Sequence, residues 1–390
     1  MNRKELPMKK FILLLSMLLA LSVSSVGYAA EDNASPENNV ITLEQAKALA
    51  YENSRSLKKY EISKDKAKYQ KQQTEYEYNT ILDRYNSIGK SLESDEGDSE
   101  SIWDQLESQY EKVEASSGSI DDAENNYNDS VKEEKNYRTQ LVYIIEELYT
   151  TILNQEESLL ALNKEYEIKQ YLLNIERQKL ALGSSNLLTA NELAVEVNSV
   201  NKSIIEQTNQ IKTKKGQLND MMGRGYDDEL ELVPVEVSTT VEIPEYNQLL
   251  SSATYAYNLL SQLKRDINDL EDDLDDEDDY YQSLILRQEI KEKELQLEDE
   301  KKNLNDTINN LIADVKSKQE DYQISLTNYQ NAQRSYDWDK KRFELGQISK
   351  LALMESEQNY LNLKNKKVSA GNALFLAQRT LQLAEEGILT

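Results

Sequence analysis

The side chains of this chain that could do chemistry are limited to carboxylates, lysines, tyrosines and hydroxyls. The sequence has no Cys and no His. This removes disulfides, thiolate nucleophiles, thiolate and imidazole metal ligands, and the imidazole that most often acts as general acid or base. No pattern in the sequence indicates carboxylates held in a packed cleft. The composition therefore argues against an enzyme, and it predicts neither a catalytic residue nor a cofactor.

The densest acidic cluster is the run Asp272–Asp279, in which every residue except Leu274 is Asp or Glu. Clustered carboxylates suit hard cations such as Ca²⁺. The run nevertheless lacks the glycine and the spaced ligands of a calcium loop. We therefore favour a solvated end of a helical hairpin, held open by charge repulsion, over a dedicated metal site. No metal site is predicted.

A short turn motif occurs twice between long segments of periodic apolar residues. Gly183 is followed three positions later by Asn186, and Gly346 by Ser349. A glycine after an apolar helix tolerates the left-handed conformation that closes it, and Asn or Ser can accept from the free amides that open the next helix. One copy is explained by an efficient helical hairpin. Two copies favour a pair of equivalent tips with a shared function.

Long coiled-coil helices are predicted to carry these turns. Prolines occur only at Pro7, Pro36, Pro234 and Pro244, so long spans lack the strongest helix breaker. Apolar residues recur every seven positions, which is typical of a coiled-coil seam. The first-half rows are Ile145, Ile152, Leu159, Tyr166, Leu173 and Leu180, then Val197, Ile204, Ile211 and Leu218. The second-half rows are Ile290, Leu297, Leu304 and Leu311, and Ile308, Val315, Tyr322, Tyr329, Tyr336 and Phe343. A helix from near Val131 to Leu182 would be roughly 75–80 Å long.

The sequence predicts an all-α fold built as a tandem duplication of long antiparallel coiled-coil hairpins. The segment that begins at Leu43 aligns with the segment that begins at Tyr246, with Gln, Ala and Leu in register. The expected repeats are residues 31–233 and 245–390. The connector 234–244 between them is expected to be extended, with a short strand nearby. Trp338, shortly before the second tip, is expected to fill the seam, and packing beneath a partner contact at the tip is the alternative.

Residues 1–30 read as a secretory signal peptide, with a basic start, an apolar core from Phe11 to Val23 and small residues near Ala29. An uncleaved membrane anchor is the alternative, and the short apolar core favours cleavage. The formal net charge of −26 argues against nucleic-acid binding, because a phosphate backbone needs a basic footprint. An exported, extracytoplasmic protein of the cell envelope is expected.

The order of these features resembles the TolC-type outer membrane efflux proteins. The resemblance rests on the opening segment Ile41–Ser54, the two Gly-x-x-Asn/Ser tips, and the segment Leu218–Val233 that ends the first repeat. It covers most of the chain after the signal segment. No single motif is diagnostic, but their order and duplication together are specific.

The resemblance implies a homotrimer whose helices form a hollow α-helical tunnel, part of an efflux or secretion system. In that family the hairpin tips meet a membrane-fusion adaptor, which is coupled to an inner-membrane transporter. The candidate adaptor-contact residues carried over are Gly183, Ser184, Ser185, Asn186, Leu187, Gly346, Gln347, Ile348, Ser349 and Lys350.

The sequence departs from that family in its two inserts. Each family repeat normally contributes strands to an outer-membrane barrel, and such strands alternate apolar residues and carry aromatic girdles. The inserts Asn86–Asp121 and Asp269–Asp279 are instead rich in Ser, Asp and Glu. We therefore expect a TolC-like tunnel without the barrel strands, from a bacterium without an outer membrane. The main alternative is a secreted coiled-coil scaffold or regulator associated with the cell wall.

Overall fold

The computed structural model describes residues 39–94 and 99–389. The signal segment expected for residues 1–30 lies outside the described residues. In chain order the described elements are β1 (Val40–Ile41), α1 (Leu43–Asn53), α2 (Arg55–Ser94), α3 (Ser99–Ala181), α4 (Leu187–Met221), β2 (Glu231–Leu232), α5 (Tyr246–Ala256), α6 (Asn258–Asp275), α7 (Tyr280–Glu344) and α8 (Lys350–Glu385).

The first hydrophobic cluster lies where α1, β1 and β2 pack on the middle of α3. Thr42 begins α1 with a capping box, because its side chain accepts from the backbone of Gln45 while the Gln45 side chain accepts from the backbone of Thr42. The strands β1 and β2 pair in parallel. The fully buried Tyr149 holds them on α3, since its hydroxyl lies 2.9 Å from Ile41 O and 2.7 Å from Val233 O.

The second cluster has a similar make-up, with the short helix α5 and the start of α6 packed on α7 and α8. Its fully buried side chains include Leu249, Leu260, Leu304, Ile308 and Leu374. Burial of such side chains stabilises the fold by about 1.5–3 kcal/mol each. Both short helices, α1 in the first cluster and α5 in the second, are thus packed against the long helices.

Helices α3 and α8 run antiparallel and join the two clusters. A buried carboxylate, Glu146 on α3, lies 2.8 Å from Lys47 Nζ on α1 and 3.2 Å from Arg379 Nε on α8. Burial alone would lower the pKa of Lys47, but its hydrogen bonds to Glu146 and Glu44 outweigh burial and raise that pKa. Three helices thus share one ionic contact.

The heptad rows are confirmed as the packing seam of the hairpins. The row residues that are buried in the described structure are Ile145, Ile152, Leu173, Val197, Ile211, Leu218, Leu304, Ile308, Val315 and Tyr322. The remaining members are partly buried, apart from Phe343 near the second tip, which is 39 % exposed. The predicted all-α class with long antiparallel hairpins is therefore correct.

The expected start of the long helix near Val131 is wrong. Helix α3 begins at Ser99 and contains 83 residues, and α2 reaches Ser94, so the described part of the first insert is helical. Tyr85 and Tyr110 lie 6.3 Å apart across this hairpin, and Lys71 pairs with Glu124. Contacts between the two helices stabilise a segment whose serines and acidic residues give little helix signal of their own.

The acidic run lies at the junction of α6 and α7, and the segment after β2 leads into α5. Helix α6 ends at Asp275, and Asp279 begins α7 by accepting from Gln282 N at 2.8 Å, so the run forms the end of a helical hairpin. Strand β2 lies just before Pro234, and residues 233–245 have no helix or strand. Across residues 39–94 and 99–389, no helix combines the length and apolar character needed to cross a membrane.

Candidate interaction site at the hairpin tips

The first tip closes α3 and opens α4 as the turn motif predicts. Gly183 has φ of 70°, and the backbone amides of Gly183 and Ser184 donate to Leu180 O at 3.0 Å and Lys179 O at 2.8 Å. This is the Schellman arrangement, in which the left-handed residue satisfies the last carbonyls of a helix. Asn186 then accepts from Thr189 N at 2.9 Å, which caps the next helix.

The second tip repeats this geometry at the junction of α7 and α8. Gly346 has φ of 69°, and the amides of Gly346 and Gln347 donate to Phe343 O at 2.9 Å and Arg342 O at 2.8 Å. Ser349 accepts from Ala352 N at 3.1 Å. Nothing lies within 4 Å of the position a Cβ would take at either tip glycine. Glycine is therefore required there for its backbone conformation and not for space.

Both tips present apolar side chains to solvent. Leu182 is 83 % exposed, Leu187 63 %, Leu188 68 % and Leu345 73 %. Single exposed apolar residues are ordinary, but leucines concentrated at a helix tip indicate a surface for a partner. Ile348, at the second tip, is only partly buried, whereas its neighbour Gln347 is exposed.

The two tips lie towards the same end of the α3–α8 pair but are staggered along it. Gln358 Nε2 donates to Ala161 O at 3.1 Å, and Lys164 pairs with Glu357 at 2.6 Å. Gly183 lies 22 residues beyond Ala161 along α3, whereas Ser349 lies only 9 residues from Gln358 along α8. The difference of 13 residues, at about 1.5 Å each, places the first tip roughly 20 Å beyond the second. A partner that meets both tips must therefore fit a stepped surface.

Short polar contacts hold each turn in place. Ser185 Oγ donates to Glu176, and Lys179 pairs with the same carboxylate at 3.2 Å. The hydrogen bond from Ser185, followed by that from Lys179, lowers the pKa of Glu176. At the second tip Asp339 accepts from Ser356 Oγ at 2.8 Å and pairs with Arg342 at 3.1 Å.

Some residues of the tip region were not anticipated from the sequence. Trp338 does not pack in the seam: it is 67 % exposed, with Lys341 Nζ 5.4 Å from its ring centroid. Leu182, Leu188 and Leu345 were not among the candidate contacts. Their signal was available, because each is an apolar residue within two positions of Gly183, Asn186 or Gly346, where the end of a helix is not covered by its partner helix.

The structure does not assemble a metal-ligand cluster in the part of the chain that it describes. No group of three or more carboxylates there could hold a metal ion. The candidate site at the tips consists of backbone turns, exposed leucines and a few paired charges. Such a site is suited to protein contact.

Solved structures of bacterial membrane proteins, outer membrane channels among them, match this chain over almost its whole length. A membrane protein from Pseudomonas aeruginosa matches with a TM-score of 0.56 and 12 % identity, covering 94 % of this chain and 98 % of its own. The outer membrane protein VceC from Vibrio cholerae gives 0.53 and 13 %, covering 89 % and 97 %. The chain has the TolC fold. The Campylobacter jejuni CmeC outer membrane channel, at 0.52 and 13 %, covers 94 % of each chain.

The likeness to TolC-type channels shows the fold of the chain. Its sequence matches no protein-family model and no curated protein. The described parts of the two inserts lie in the helices α2, α3 and α6 and in the short turn between α6 and α7. The structures it matches are channel proteins and not enzymes.

Proposed function

We propose that this chain is a subunit of an exit duct in an efflux or secretion system, and that its hairpin tips dock on a membrane-fusion adaptor coupled to a membrane transporter. One observation carries this proposal. Two capped, solvent-exposed turns with the same backbone geometry lie towards one end of a TolC fold. A duct needs rigid ends that a partner can recognise, and Schellman turns followed by capped helices are rigid.

The chemistry of the tips favours a helical partner with an apolar face. Leu182 and Leu187 flank the first turn and Leu345 begins the second, and all three are more than 60 % exposed. Several nearby charges are already paired, as in Arg342 with Asp339 and Lys179 with Glu176. Leucines in an interface with satisfied surrounding charges provide the buried centre of a contact, and the charges provide its rim.

The remaining parts of the proposal follow from the family resemblance. We propose a homotrimer, an exported chain with its signal peptide in residues 1–30, and two repeats, 31–233 and 245–390, joined by the connector 234–244. The matched burial of the short helices α1 and α5 against the long coiled coil supports the duplication. The protein acts as a passage and not as a catalyst in this proposal.

Site-specific crosslinking tests the docking proposal, because the chain has no native cysteine. Single variants Gln347→Cys and Ser184→Cys place a crosslinker at exposed positions of the two tips. Asn79→Cys, exposed on α2 towards the other end of the molecule, is the matched control. We expect both tip variants, and not the control, to capture a membrane-anchored protein with a long helical hairpin in the native cell.

The other outcomes of this experiment are equally informative. Capture of cell-wall enzymes from the tips would support the scaffold or regulator function instead. Capture of further copies of the chain alone, at both tips, would show that the tips are a self-association surface. Equal capture of the hairpin protein from Asn79→Cys would show that the contact is not made by the tips.

A further inference from the structure

A cavity of about 660 Å³ lies where the connector crosses the long helices, far from the hairpin tips. Helices α3, α4, α7 and α8 and the segment from β2 to Val237 all contribute to its wall. Its lining is mainly apolar and includes Leu159, Ile211, Leu232, Val235 and Val368. The volume falls in the range of about 300–1,000 Å³ that is usual for small-molecule sites.

Three lysines line the cavity, and two of them are neutralised. Lys215 pairs with Glu156 at 2.6 Å, and Lys364 pairs with Glu157 at 2.8 Å. Lys367 is partly buried and has no ion pair or hydrogen bond with any described residue. The polar part of the cavity thus retains one uncompensated positive charge, in a chain whose formal net charge is −26.

A second polar group of the cavity has no partner. Tyr322 on α7 is only 5 % exposed, and its hydroxyl makes no hydrogen bond within the described residues. Burial raises the pKa of Tyr322, so the phenol stays protonated and can donate. Its ring packs against Gly371, where Cε2 lies 3.0 Å from the position of a Cβ. Lys367 precedes Gly371 by four residues and so lies on the same face of α8.

We propose that this cavity binds a single-chain amphiphile with one carboxylate, such as a medium-chain fatty acid. The carboxylate would accept from the Tyr322 hydroxyl and pair with Lys367, while the alkyl chain lies against the apolar wall. One unpaired cation matches one negative charge. The Tyr322 hydroxyl makes no hydrogen bond with a described residue, so it can donate to a ligand carboxylate. A dianion would leave a charge unpaired, and a cationic amphiphile would meet Lys367 with like charge.

Binding of laurate below its micelle concentration to the purified chain, measured by titration calorimetry, tests this site. We expect Lys367→Gln to weaken binding about tenfold or more, and Tyr322→Phe to weaken it severalfold. Lys366→Gln is the matched control, because Lys366 is the exposed neighbour on the same helix. It should leave the affinity unchanged. Dodecanol, which has no charge, should bind equally to the native chain and to Lys367→Gln.

The proposal fails if laurate shows no saturable binding, or if Lys367→Gln and Lys366→Gln bind it with equal affinity. It also fails if dodecanol loses as much affinity as laurate in Lys367→Gln, because the lysine would then contribute only packing. Should Tyr322→Phe unfold, the two lysine variants decide the question, since both side chains reach solvent. This test is independent of the adaptor-docking experiment.

Discussion

The glycines Gly346 and Gly387 occupy the same backbone geometry in different surroundings, which allows the cost of each to be predicted. Gly346 has φ of 69° and Gly387 has φ of 77°, and each ends a long helix with the same pair of backbone hydrogen bonds. A Cβ at Gly346 would meet nothing within 4 Å. A Cβ at Gly387 would lie 2.4 Å from the carbonyl carbon of Ala256 and 2.6 Å from Tyr257 N.

Replacement of each glycine by alanine should therefore separate conformational strain from overlap. For Gly346→Ala only the left-handed conformation is penalised, at about 1–2 kcal/mol. For Gly387→Ala the same strain is joined by overlap with backbone that cannot rotate away, so the total loss should be roughly 2–5 kcal/mol. Gly346→Asn should cost less than Gly346→Ala, because Asn enters the left-handed region more readily.

The free energy of unfolding in urea, followed by the helical circular dichroism signal, measures these losses. The order of stability should be native, Gly346→Asn, Gly346→Ala and then Gly387→Ala, with an unchanged dependence on urea concentration. Equal losses for the two alanine variants would refute the reasoning, because the close approach of Ala256 to Gly387 would then have no energetic consequence. A loss in Gly346→Asn as large as in Gly346→Ala would refute the conformational part.

Two further perturbations test the centre of the molecule. Glu146→Gln should lower the free energy of unfolding by about 3 kcal/mol, because it leaves Lys47 and Arg379 without their buried partner. The control Glu167→Gln should change that free energy by no more than about 0.5 kcal/mol, because the Glu167 side chain is 59 % exposed. Equal urea stabilities of the two variants would contradict this. Burial raises the pKa of Tyr149 to about 12, so the folded chain keeps this proton while the unfolded chain loses it near its ordinary value of about 10. Stability should fall as pH rises from about 10 to 12, and less steeply in Tyr149→Phe; parallel pH profiles from urea unfolding would count against this role.

Local sequence patterns were sufficient to predict the helices, their seam and the turns at their ends. The heptad positions of Ile145, Ile152 and Ile308 are fully buried, because a seven-residue apolar repeat leaves a helix only one face to bury. Gly183 and Asn186 act as a stop and a start, because these two residue types satisfy the backbone groups that a helix end leaves unpaired. Both conclusions depend on neighbours within a few residues.

Contacts between distant parts of the chain could not be predicted from these local patterns. Tyr149 reaches Ile41 and Val233, which are 108 and 84 residues away, and nothing near Tyr149 in the sequence indicates those partners. The 99–130 segment was not expected to be helical, because its serines and acidic residues give little helix signal of their own. Contacts with its partner helix α2 stabilise it instead. The stagger of the tips and the cavity beside Lys367 likewise depend on how α8 is placed along α3.

The continuity of α3 connects the two ends of the molecule through one element. Its 83 residues span about 125 Å without a break. It contacts α2 through Glu124, the first hydrophobic cluster through Leu141–Leu153, and α8 through Ala161. A shift of α3 along its own axis would therefore displace Gly183 and the far end near Ser99 by the same distance and in the same direction.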